Sequence, residues 1–138
     1  MDDNIIFKKL WQENTLILLN VIAQSKFVVV NHNYYIDEQV LISCGKKLTS
    51  FTDDGCKKVY IQFGEKDQKY VPAFSLEVER LDDCGHLNIE VDMQIENDMT
   101  KDYRCVYAIH GELGTLYSFG QKLNQLVNAQ VGFECALI

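Results

Sequence analysis

The run Leu87-Asn88-Ile89-Glu90-Val91-Asp92-Met93-Gln94-Ile95-Glu96 alternates apolar and polar side chains without a break. Successive strand residues point to opposite faces, so Leu87, Ile89, Val91, Met93 and Ile95 share a core side and the five polar residues share a wet one. Just upstream, Asp82-Asp83-Cys84-Gly85 supplies turn chemistry, and Phe74, Leu76 and Val78 alternate with Ser75, Glu77 and Glu79. A hairpin follows. Val59, Ile61 and Phe63, alternating with Tyr60 and Gln62, add another strand ahead of a polar turn at 64–68. On the other side, 97–102 reads as a turn and 103–110 as a strand half-covered on both faces. Such short connections favour antiparallel pairing in a meander.

Beyond residue 110 the period changes. Gly111 to Gly114 break the strand, and Leu116, Phe119, Leu123, Leu126 and Val127 recur at steps of three and four, predicting an amphipathic helix with Thr115 as N-cap. Residues 128–130 close it, and 131–138 form a final strand. At the other end, Asp2, Asp3 and Asn4 precede Ile6, Phe7, Leu10, Trp11, Ile17, Leu18, Val21 and Ile22, a spacing that predicts a helix over 5–24. The β-branched stretch 15–23 also suits a strand if that helix stops at 12–14. Residues 27–36 and 39–44 read as strands around a turn at Asp37-Glu38. The expected fold is α+β: a mostly antiparallel sheet, an N-terminal and a C-terminal helix packed on one face, and a last strand at the C-terminus.

With 138 residues, 47% hydrophobic and 24% charged, the chain is too apolar for disorder and of a size for one domain over 1–138. The single proline and the lack of any Gly/Ser-rich tract mark no boundary. The opening Met1-Asp2-Asp3-Asn4 is acidic where a secretory signal is basic, and the apolar stretch 16–23 is far short of the ~20 residues that span a bilayer. Five scattered cysteines, with no Cys-x-x-Cys pair, read as reduced thiols in a cytoplasmic protein.

Catalytic signatures are weak. His110-Gly111-Glu112 has the His-x-Glu element of zinc deaminases without their Pro-Cys-x-x-Cys, so no metal is expected there. Cys84 and His86 bring a thiol and an imidazole into one predicted hairpin loop. His32, Tyr34 and Tyr35 read either as a pocket lining or as one exposed strand face. The eight glycines never form a phosphate-binding run, and no Gly-x-Ser-x-Gly elbow occurs. No cofactor and no enzymatic activity is expected.

Charge layout is more informative. Between residues 77 and 102 nine acids (Glu77, Glu79, Asp82, Asp83, Glu90, Asp92, Glu96, Asp98, Asp102) face only Arg80 and Lys101, a local balance equal to the formal −7 of the whole chain. That balance argues against nucleic acid and anionic membrane as partners. Strand alternation puts Glu77 and Glu79 on one face and Glu90, Asp92 and Glu96 on one face, and antiparallel neighbours bring the two sets together. This crowd is either a solvated outer face or a surface for a basic partner. Lys46, Lys47, Lys57, Lys58, Lys66 and Lys69 cluster elsewhere in sequence, so the molecule is expected to be bipolar.

The closing segment 114–138, GTLYSFGQKLNQLVNAQVGFECALI, resembles the helix-then-strand ending of small bacterial proteins, some of which accompany toxins. Phe119, Leu123 and Leu126 correspond to the helix-to-sheet contacts and Gly132 to the glycine before the last strand. With its size and acidity, the chain resembles immunity proteins of bacterial contact-dependent or polymorphic toxin systems. The resemblance implies a cytoplasmic inhibitor that neutralises a cognate toxin domain; the acidic layout makes that domain a basic one such as a nuclease, and the chain is expected to be a monomer or a weak homodimer. It carries no shared interface motif. Charge layout nominates Glu77, Glu79, Glu90, Asp92 and Glu96 as the contact residues, with Tyr103 or Tyr107 as an exposed aromatic anchor. The alternatives are a small-molecule-binding or small enzymatic domain built on His32, Tyr34 and Tyr35 or on Cys84 and His86, and a structural or regulatory module, including a homodimer joined through an exposed strand edge.

Overall fold

The computed structural model describes residues 2–66, 71–95 and 103–138. Its elements follow in the order β1 (Asn4–Glu13), β2 (Leu16–Gln24), β3 (Val29–Asp37), α1 (Glu38–Phe51), β4 (Lys58–Gly64), β5 (Ala73–Arg80), β6 (His86–Ile95), β7 (Tyr103–Glu112), α2 (Leu113–Val127) and β8 (Glu134–Ala136). The class is α+β with antiparallel pairing, a C-terminal helix and a last strand, as expected. The pattern around Leu87 holds in detail: β4-β5-β6-β7 is an antiparallel meander. Asp82 Oδ1 accepts the Cys84 N–H at 2.8 Å in the β5–β6 turn. The expected turn at 97–102 lies outside the described residues.

The N-terminal helix is not formed. Residues 4–24 make a hairpin, closed at Asn14, whose φ of 53° lies in the left-handed region that asparagine tolerates. Ile5, Phe7, Ile17, Leu19, Val21 and Ala23 are buried at strand spacing. The helical reading arose because the opposite face of the hairpin is also apolar, through Ile6, Trp11, Leu18 and Ile22. This hairpin is the centre of a second four-stranded sheet, ordered β3-β2-β1-β8, so the expected single meander is two sheets.

The second correction is at 39–44, which is helical rather than extended. Asp37 is the N-cap of α1, its Oδ1 accepting the Gln39 N–H at 2.9 Å, and Leu41, Cys44, Leu48 and Phe51 are buried at helical spacing. For α2 the helix begins at Leu113, one turn earlier in effect than a cap at Thr115 implies; the Thr115 hydroxyl instead donates to the Glu112 carbonyl at 2.9 Å. The final strand shrinks to Glu134–Ala136, paired with β1.

The inner faces of the two sheets meet through aromatic rings. Phe7 of β1 stands edge-on to Phe63, Phe74 and Phe119, with centroids 6.0, 5.5 and 5.2 Å away. Burying each such side chain stabilises by about 1.5–3 kcal/mol. The helices pack on each other, α1 touching β3 and β4 and α2 touching β7 and β8, so the pair closes the core between the sheets. Gly45 and Gly120 form the crossing: a Cβ on Gly45 would lie 2.8 Å from the Gly120 carbonyl oxygen, and one on Gly120 2.9 Å from that of Gly45. Lys9, buried on the inner face beside a bulge in β1, donates from Nζ to the carbonyls of Leu126, Val127 and Ala129 at 3.3, 3.1 and 2.8 Å. It caps the C-terminal end of α2, where the helix dipole favours a cation.

Candidate functional site

Of the acids nominated from sequence, the four that are described, Glu77, Glu79, Glu90 and Asp92, share a face. Register places Glu77 opposite Glu90, and Ser75 opposite Asp92, on the outer side of the meander. Their counter-charges come from the chain itself. Lys57 and Lys58 lie 3.5–3.8 Å from Glu77 and Glu79. Asp92 is buried; Lys66 Nζ approaches its Oδ2 at 2.9 Å, and Arg104 grips both oxygens from Nε and Nη2 at 3.0 and 2.8 Å. Burial raises the Asp92 pKa, and the hydrogen bonds from Arg104 and Lys66 reverse that, holding the carboxyl below its ordinary value. Among the described residues, Glu90 makes no ion pair. Glu96 lies outside the described residues.

The described lysines therefore do not form a separate pole: Lys57, Lys58 and Lys66 fold back onto the acids, while Lys46 and Lys47 border a groove of about 490 Å³ along α1 with Gln39, Ser43, Ser50 and Asp54; Lys69 lies outside the described residues. Tyr103 is exposed at 53%. Tyr107 is not the exposed anchor expected: paired with Val91, it turns to the inner side, half-buried, its hydroxyl without a hydrogen-bond partner among the described residues and its pKa pushed up to about 12 by burial.

The remaining candidates separate. His32 and Tyr34 face inward, their rings edge-to-face at 5.2 Å, while Tyr35 faces out, so the three do not line one pocket. Cys84 in the β5–β6 loop and His86 at the start of β6 lie beside a groove of about 420 Å³. His86 Nδ1 lies 2.7 Å from Asp82 Oδ2, a hydrogen bond that holds the imidazole pKa up and the carboxyl pKa down. The His110 N–H donates to Asp3 Oδ2 at 3.1 Å. Cys44 and Cys135 are buried, which pushes their thiols up to about 11 and about 12 and leaves little thiolate at neutral pH. No helix among the described residues is long and apolar enough to cross a membrane.

The surface that the sequence reading overlooked is the outer face of the β3-β2-β1-β8 sheet. Register aligns Trp11, Leu18 and Tyr35 in one row across three strands, the two aromatic rings edge-to-face at 6.2 Å. Leu16, flanked by Glu13 and Asp37, forms the next row toward the hairpin turn. On the other side runs a polar row, Lys8, Asn20 and Asn33, and then Ile6 and Ile22. Asn20 Nδ2 donates to the Oδ1 atoms of Asn31 and Asn33 at 2.6 and 2.8 Å, fixing the three amides. Trp11, Leu16 and Tyr35 are 38, 40 and 64% exposed. A signal was present in sequence: apolar residues at both parities of the 4–24 segment mean that both faces of the hairpin are apolar.

Comparison of the chain with family models, with curated proteins and with solved structures finds no match.

Proposed function

We propose that this chain is a cytoplasmic partner-binding protein of the immunity type, which docks on a cognate toxin domain and blocks it stoichiometrically. The docking face is the outer side of the β3-β2-β1-β8 sheet. One observation carries this reading: the row Trp11-Leu18-Tyr35, apolar and aromatic, lies open on a rigid sheet and is bordered by carboxylates and locked amides. Aromatic anchors with a polar surround are what protein interfaces use for affinity. The acidic face of the meander is the weaker docking surface, because Lys57, Lys58, Lys66 and Arg104 already neutralise three of the four nominated acids that are described.

The test is binding to the toxin domain encoded beside this gene. Trp11→Ala and Tyr35→Ala are each expected to weaken binding roughly tenfold to a hundredfold. Charge reversal at Glu77 and Glu79 is expected to change affinity by only a few-fold. Wild-type affinity in both aromatic variants, or a gene neighbourhood with no toxin, would sink the reading.

A further inference from the structure

The meander has one edge, β4, covered by α1, where Cys44 Sγ reaches the Gln62 carbonyl at 3.9 Å. Its other edge is β7, ten residues long and flanked on one side only. Two bonds fix which way its backbone points. Leu113 N–H donates to the Gly85 carbonyl, on the β6 side, and His110 N–H donates away from β6, to Asp3. Odd-numbered residues of β7 therefore bond to β6, and Val106, Ala108 and His110 present their N–H and C=O groups outward. Among the described residues nothing pairs with the outward groups of Val106 and Ala108. Edges of this kind are usually blunted by charge, proline or a bulge, and the stretch from Cys105 to Ile109 has none of these.

We propose that β7 is a self-association edge, pairing antiparallel with β7 of a second copy about a two-fold axis through Val106. The outer-face charges select both the occupant and the register. Glu90, which makes no ion pair among the described residues, stands beside Ala108 in the β6–β7 ladder. With Val106 opposite Val106 of the copy, Arg104 of the copy falls opposite Ala108, whose methyl leaves room for a guanidinium to extend toward Glu90. The two-fold repeats this contact, so each chain supplies both the acid and the base, as an isologous interface requires. To make this contact Arg104 swings away from Asp92, which it grips in the single chain, and Asp92 keeps Lys66. The same register buries Val106, which is 52% exposed in the single chain, and ends the ladder short of His110, so Asp3 keeps its bond. Moving the axis to Tyr107 would set Arg104 against His110 and lose the Glu90 contact. Two chains of formal charge −7 repel, so the dimer is weak and tightens as salt is added.

Sedimentation equilibrium across micromolar to millimolar concentration, at low and high salt, is the direct test. The expected result is a monomer–dimer equilibrium that shifts to dimer with salt. Val106→Pro removes only an outward donor and is expected to give a monomer with unchanged circular dichroism. Val106→Lys serves if the proline variant does not fold. Glu90→Lys is expected to weaken the dimer about tenfold or more, since it replaces an attraction with a repulsion. A wild-type chain that stays monomeric at millimolar concentration overturns the proposal, as does a dimer indifferent to both the Val106 and the Glu90 changes.

Discussion

At Asp92 a single buried carboxylate holds two cations, Lys66 and Arg104, that would otherwise stand on the outer face of the meander. The pKa of this group is lowered on folding, so the sign of its pH effect is fixed. Above the ordinary value of 3.8 both folded and unfolded chains carry the charge, and the stabilisation is complete. Below it the unfolded chain takes up a proton first, and the stabilisation drains away until the folded carboxyl protonates too. Asp92→Asn is therefore expected to cost about 1–3 kcal/mol at neutral pH, since Lys66 and Arg104 lose the negative charge they both bind. The gap between wild type and variant should close as pH falls from about 5 toward about 2. Urea unfolding at a series of pH values measures this; a gap that persists in acid would mean that Asp92 contributes by packing alone.

Between elements, the helix crossing is the tightest joint. Alanine normally outranks glycine in a helix by about 1 kcal/mol, yet at Gly45 or Gly120 the added methyl meets the backbone of the other helix. Backbone cannot swing aside as a side chain can, so Gly45→Ala and Gly120→Ala are expected to destabilise by roughly 1–3 kcal/mol. Gly114→Ala, in the same helix as Gly120 with nothing within 4 Å of the added atom, is expected to be neutral or stabilising. Thermal melts of the three variants separate crowding from helix propensity. Whether one face or both are apolar decides which elements were readable from sequence. The strands β4 to β7 have one buried and one wet face, and alternation exposes them. The hairpin of β1 and β2 is apolar on both faces, so its residues satisfy the helical spacing as well as the strand spacing. In α1 the segment 39–44 is β-branched enough to pass for a strand, and only the cap at Asp37 and the later Leu48 and Phe51 show its period. The row Trp11-Leu18-Tyr35 was hidden for another reason: its members lie on three strands, and register between strands is not written in any local pattern.

At the scale of the whole molecule, charge and contact surface separate. Among the described residues the meander is not a bare acidic face, because Glu77, Glu79 and Asp92 are matched by Lys57, Lys58, Lys66 and Arg104. The proposed function assigns the summed field to attracting a basic partner and the aromatic row on the other sheet to holding it. These two roles fall on different rate constants. Long-range attraction acts before contact and is screened over a Debye length of about 8 Å at physiological salt, so it sets the association rate. The buried aromatic contacts act after docking and set the dissociation rate. Stopped-flow binding of the toxin domain is therefore expected to show an association rate that falls tenfold or more, on the order of the steering seen for charged pairs, between low and high salt. Trp11→Ala should leave that salt dependence intact and speed dissociation by roughly thirtyfold, the equivalent of about 2 kcal/mol for a lost anchor. Reversing any one acid of the meander should shift the association rate only slightly, since each contributes a small part of the field. An association rate indifferent to salt would show that the acidity of the chain plays no part in finding its partner, and a Trp11 variant that dissociates at the wild-type rate would place the contact on another face.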